Sequence, residues 1–163
     1  MKKITFLALL SVLTLSSIAQ NKFGHINAQE ILLLMPETKK AETELADLTK
    51  TLETQLAGMN AEFQQMYQEF QANETTYDDL VKQDKYAELE DKQRRLQSFE
   101  QQAQQSYQKK EQELLIPINE KLKTAIKDVA TEGNYTYIFA DGVLHYKDDK
   151  NDVSVLVKKK LGL

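Results

Sequence analysis

Apolar residues recur with helical spacing through the middle of the chain and with strand-like spacing at its two ends. From residue 36 onward they fall at Ala41, Leu45, Leu48, Leu52, Leu56, Met59, Phe63, Met66 and Phe70. The steps of four and three define one face of a long helix. An extra step of four near Leu56, beside Gly58, relaxes the strict seven-residue repeat that would impose a supercoil. Such a helix, about 36 residues at about 1.5 Å each, is a rod of roughly 55 Å. A break follows between Asn73 and Lys85, where Thr75-Thr76 and Asp78-Asp79 offer turn and capping chemistry. A second periodic region runs from about Tyr86 to Glu132 through Leu89, Leu96, Phe99, Ala103, Tyr107, Leu114, Ile118, Leu122, Ile126 and Val129. Pro117 inside it is expected to bend or divide the helix. Two rods joined by a short break fold back as an antiparallel hairpin.

The ends read differently. Phe23–Asn27 alternates as a short strand, and Asn27 with Glu30 forms a capping-box pattern for a helix from Ala28 to Met35. Pro36 opens the long helix at its first turn. Gly133 stands where the second helix should end in a C′ glycine. The run YTYIFADGVLHY then reads as two strands about an Asp141-Gly142 turn, a strong hairpin signal. Asp152 is placed to cap a terminal helix, Val153 to Leu161, with Gly162 just beyond. The fold class that follows is α+β, mostly α: a long antiparallel helical hairpin projecting from a small β-rich oligomerisation body. Its boundaries are 20–35 and 133–163 for the body and 36–132 for the hairpin, with the tip near 73–85.

One N-terminal strand and one hairpin make at most a three-stranded sheet. Strands as apolar as these need cover on both faces, and one chain supplies little. Uncovered apolar faces and free strand edges promote association. Phe23, Ile26, Tyr137, Phe139, Val143 and Leu144 are therefore the candidate assembly residues.

Composition narrows the chemistry. The chain contains no Cys, which excludes disulfides, thiolate sites and a lipidated cysteine. Residues 1–19 have the form of a secretory signal peptide: Lys2-Lys3, an apolar run from Ile4 to about Leu15, then Ser-Ile-Ala before Gln20. Removing Lys2 and Lys3 from the 21 basic residues leaves 19 against 25 acidic ones, a net charge of −6. Such a balance argues against nucleic-acid binding, which depends on neutralising phosphate. The five glycines form no phosphate-cradling loop, so no nucleotide site is expected. His25 and His145 fall on the expected strands, where a buried, hydrogen-bonded role outweighs a metal site. No catalytic residue, metal or cofactor is assigned, and the chain is not expected to be an enzyme.

This order of elements resembles the Skp, or OmpH-like, periplasmic chaperone family. KFGHINAQEILLLMP (22–36) is similar to the family's opening strand and short helix. AIKDVATEGNYTYIFADGVLHY (125–146) is similar to its closing helix and hairpin, and DVSVLV (152–157) to its terminal helix. The resemblance implies a periplasmic homotrimer whose shared strand body carries three helical tentacles around a cavity. It further implies a holdase that keeps unfolded outer-membrane β-barrel proteins from aggregating, without ATP. Basic members of the family have been linked to anionic lipid; this acidic chain departs from them, and no lipid site is carried over. Tyr67, Tyr77, Leu80, Tyr86, Phe99 and Tyr107 are the candidate client contacts, because amphipathic rings offer adaptable contact with many sequences. Phe63 and Phe70 are expected inside the hairpin. The rival reading is a secreted structural or adaptor coiled-coil protein with one specific folded partner.

Overall fold

The computed structural model describes residues 21–163, so the expected signal peptide lies outside the described residues. In chain order the elements are strand β1 (Phe23–Ile26), helix α1 (Ala28–Leu34), helix α2 (Pro36–Asn73), helix α3 (Asp79–Glu132), strand β2 (Tyr137–Ala140), two single 3-10 turns (Asp141–Val143 and Asp149–Asn151), and helix α4 (Ser154–Leu161). They fall into two compact units. One comprises the described residues up to Ala28 together with Lys123–Leu163; the other is Gln29–Leu122.

The Gln29–Leu122 unit contains the helical hairpin. Met35 is extended and Pro36 takes the first turn of α2, where a missing N–H costs nothing. Opposite charges meet across the two arms: Glu37 with Lys121, Glu44 with Lys110 at 2.8 Å, and Glu62 with Lys92. Residue numbers fall along α2 as they rise along α3, so the arms run antiparallel. These pairs are largely exposed and each contributes little; their value is in fixing register. At the tip, the Asn73 carbonyl accepts the Thr76 amide at 2.8 Å, and Asp78 Oδ1 accepts the Val81 amide at 2.9 Å. The Asp78 cap starts α3 at Asp79, seven residues before the sequence expectation of Tyr86, and the break shrinks accordingly. Phe70 closes this end, buried, with Tyr86 edge-on at 4.8 Å and Tyr77 at 6.4 Å.

Pro117 lies inside α3 without dividing it. Proline removes one donor and crowds one carbonyl. The helix continues through both its neighbouring turns, and the apolar residue beside it, Ile118, is buried.

The other unit holds a two-stranded sheet. β1 and β2 pair in parallel, Phe23 opposite Tyr137 through Ile26 opposite Ala140. Parallel neighbours require a long crossover, and the intervening helices provide it. The expected hairpin about Asp141-Gly142 is therefore overturned. Residues 141–143 form a 3-10 turn, Gly142 does not take a positive φ, and residues 143–146 form no strand. The mirror-image turn needs positive φ at its centre; here Asp141 spends its carboxylate on His25 and Lys147 instead. A single bridge joins His25 to Asp152 on the far edge of β1, where the Val153 amide donates to the His25 carbonyl at 2.9 Å.

The buried residues of this unit include Ile26, Ala125, Val129, Val153 and Val157. α4 starts one residue later than expected, with the Asp152 carboxylate accepting the Ser154 amide at 2.7 Å. It ends as expected, at Gly162 with φ 78°.

Gly133 follows α3 as expected but not for the expected reason. The left-handed residue is Asn134, at φ 54°. At Gly133 a Cβ would stand 2.7 Å from Tyr135 Cδ2. The Tyr135 ring needs that space because Lys22 Nζ lies 4.0 Å from its centroid while donating to the Gly133 carbonyl at 2.8 Å. Gly133→Ala is expected to cost about 1–3 kcal/mol through this crowding. Gly142→Ala, with open space at its Cβ, should change stability by less than about 0.5 kcal/mol; chemical denaturation of both variants measures the contrast. Phe70→Ala should cost about 3 kcal/mol and raise amide exchange in residues 66–89 before the rest of the chain.

Candidate functional site

Two helices in a hairpin share a single contact face, and the burial along α2 and α3 follows from this. Among the residues of the stripe, Ala41, Phe70, Leu89, Ile118 and Leu122 are buried. Leu45, Leu48, Leu52, Leu56, Met59, Phe63 and Met66 on α2 are only half-buried, as are Leu96, Phe99, Ala103, Tyr107 and Leu114 on α3. An apolar side chain in that state keeps part of its surface available to another molecule.

The candidate contact residues separate by place. Tyr67, Leu80 and Tyr86 are exposed, at 43%, 69% and 54%. Tyr67 stacks on Phe63 with centroids 6.3 Å apart, and its hydroxyl accepts from Gln71 Nε2 at 3.0 Å. Its ring is thus held outward. Tyr77 is half-buried and, with Tyr86, belongs to the aromatic cluster around Phe70. Phe99 and Tyr107 are half-buried on the seam. Phe70 is inside the hairpin as expected, whereas Phe63 is only half inside.

Around the seam the surface is amide and charge. Gln97, Gln101, Gln102, Gln104, Gln105, Gln108 and Gln112 of α3 are all exposed. Neutral amides both donate and accept, so this wall can bond peptide backbone of either polarity. Ile116, 61% exposed beside Pro117, adds an apolar position that the sequence reading passed over; its place off the three-four stripe is why.

The sheet unit carries a second apolar surface. Phe23 and Tyr137 stack at 6.1 Å, Phe23 and Phe139 meet at 6.2 Å, and Tyr137 and Phe139 at 6.0 Å. The parallel register puts these three rings on one face, since side chains two apart along a strand project to the same side. All three are exposed, as is Val143, while Leu144 is half-buried. Ile26, from the same candidate set, is buried within its own chain, as are Gly24 and His25 before it; it is corrected to a core residue. Tyr146, outside that set, is 84% exposed.

The two histidines do not meet. His25 is buried against Asp141 and the Asp148 carbonyl, and His145 is exposed. Among the described residues no group of three His, Cys, Asp or Glu side chains is arranged to hold a metal ion. Close pairs of carboxylates serve local structure: Asp78 caps α3, and the Asp148 carboxylate accepts the Lys150 amide at 3.1 Å. Lys160 of α4 meets Glu132 and Asp128. The Glu132 hydrogen bond raises the pKa of Lys160. No helix among the described residues is long and apolar enough to cross a membrane.

The chain as a whole is similar to known proteins. Chaperone protein Skp of Yersinia enterocolitica is 26% identical over 150 residues, covering 90% of this chain and 89% of the relative. The crystal structure of a putative OmpH-like outer membrane chaperone from Caulobacter crescentus CB15 superposes with a TM-score of 0.77. That likeness, at 17% identity, covers 88% of this chain and 85% of the other, and it supports the hairpin-and-sheet fold. The family model for outer membrane protein (OmpH-like) matches residues 22–161. Sequence and fold therefore agree: this chain belongs to the OmpH-like outer membrane protein family.

Proposed function

We propose that this chain is a non-enzymatic, ATP-independent holdase that binds unfolded outer-membrane β-barrel proteins in the periplasm, reached through a cleaved signal peptide. In this reading three copies join through the sheet unit, and their helical hairpins enclose the client. The observation that carries it is the half-buried seam. Two arms that retain apolar surface between their closed ends, amid amides and charges, suit a non-native chain presenting apolar groups and unpaired backbone together.

Weak contacts suffice for such a task. Several hairpins acting on one client raise the effective concentration of every later contact, and binding the unfolded chain removes it from aggregation by mass action. The exposed rings of Phe23, Tyr137 and Phe139 support assembly, because an aromatic face left in water is a favourable place for a second and third copy. The naming of the Yersinia relative as a chaperone does not favour the rival adaptor reading.

Light scattering of the mature protein should give three times the chain mass, and Tyr137→Asp should shift it to the single-chain mass; a wild-type monomer would overturn the assembly. Dilution of a denatured β-barrel protein into the chaperone should leave it soluble at about one trimer per client. Tyr67→Ser combined with Leu80→Ser should weaken client affinity about tenfold, the equivalent of about 1.4 kcal/mol, with mass and helicity unchanged. Undiminished binding in that variant would remove these residues from the contact surface.

A further inference from the structure

His25 is the most enclosed ionisable group of the sheet unit, 3% exposed in the middle of β1. Both of its ring nitrogens face acceptors. Nδ1 lies 2.8 Å from Asp141 Oδ1, and Nε2 lies 3.0 Å from the Asp148 carbonyl oxygen. A neutral imidazole carries one N–H and one lone pair. It can serve either acceptor but must point a lone pair at the other. Only imidazolium donates to both.

We propose that His25 is a proton-operated latch that fastens residues 141–153 across the outer edge of β1. Protonated, the ring ties down both the 3-10 turn that begins at Asp141 and the one that begins at Asp149. Between them lies the stretch 144–148, which has no strand partner in the chain. The latch is completed by the backbone: Val153 N–H donates to the His25 carbonyl, and Asp152 bridges to His25 on that edge. Loss of the proton breaks one of the two side-chain ties and leaves an acceptor facing a lone pair.

The charged groups around the ring favour the proton. Asp141 faces it directly and Asp152 from the bridging segment. Lys147 tempers this by holding the other oxygen of Asp141, and Asp149 lies near that lysine. Burial by itself pushes the imidazole down. The Asp148 carbonyl, the Asp141 hydrogen bond and the charges of Asp141 and Asp152 together outweigh it, and the ring stands above its ordinary value of 6.5. Asp141 is held below the usual carboxylate range, first by Lys147 and then by His25, so it remains an anion while His25 titrates. For a group raised on folding, the stabilisation is complete below the unfolded pKa and is lost as pH rises through the folded one. The latch is therefore shut in mild acid and loosens toward and above neutrality.

The test uses the full mature chain with 15N-labelled histidine. Nitrogen shifts of His25 should report both ring nitrogens protonated at pH 6 and a midpoint above that of the same residue in denaturant. Protection of the Val153, Asn151 and Leu144 amides against exchange, corrected for intrinsic rates, should fall as pH rises. The fall should approach about tenfold for each pH unit separating the folded from the unfolded midpoint. His25→Gln, which keeps a donor but cannot gain a proton, should make that protection independent of pH. An identical pH dependence in His25→Gln, or constant protection in the native chain, would overturn the latch. Should His25→Gln fail to fold, the native chain decides alone: a His25 ring already neutral at pH 6 excludes the proposal.

Discussion

A two-helix hairpin has one seam, and one seam cannot bury two faces. Everything particular about the Gln29–Leu122 unit follows from this limit. A third or fourth helix would turn the half-buried leucines, Phe99 and Tyr107 into a closed core. Without one, arm stability comes from a narrow apolar line, continuous backbone hydrogen bonding and register-setting ion pairs. Most apolar side chains keep one flank in water. In an ordinary domain that would be a defect. In the reading proposed above it is the surface offered to a client.

Much of this was legible in the sequence, because periodicity is a property of local spacing. The stripe from Ala41 to Phe70 predicted α2 almost to the residue. Pro36, Asp152 and Gly162 marked boundaries through chemistry that acts within one turn. Local signals failed where the deciding partner lay far along the chain. Asp141-Gly142 has the residues of a tight turn, yet His25, 116 positions away, takes the aspartate, and β1 takes the strand before it. Gly133 was marked as a left-handed cap, whereas the Tyr135 ring requires its missing side chain and Asn134 adopts the left-handed conformation. Pro117 was expected to bend or divide α3; it does not divide the helix, which runs on past it for a total of 54 residues.

The candidate surfaces divide along the same line. Exposed positions such as Tyr67 and Leu80 follow from stripe geometry, since a residue just off the seam must face outward. The aromatic face of the sheet needed the parallel register, which no local pattern contains. Ile26 shows the cost of lacking it: it has the same composition cue as Phe23 but the opposite side of the pleat. The buried His25 was visible as an anomaly, a titratable ring within an apolar strand, but its partners were not.

The parallel pairing also carries a lesson about how the chain reaches its native state. Phe23 and Tyr137 are 114 positions apart, and joining them directly would close a very long loop. The helices change that arithmetic. Once α2 and α3 have zipped together as far as Glu37 and Lys121, the chain has doubled back, and only short segments remain to be closed. Loop-closure entropy depends on the effective length left open, so the arms act as a folding aid to their own sheet. Insertions or deletions matched on both arms would leave that effective length unchanged. Arm length can therefore grow without adding to the cost of closing the sheet.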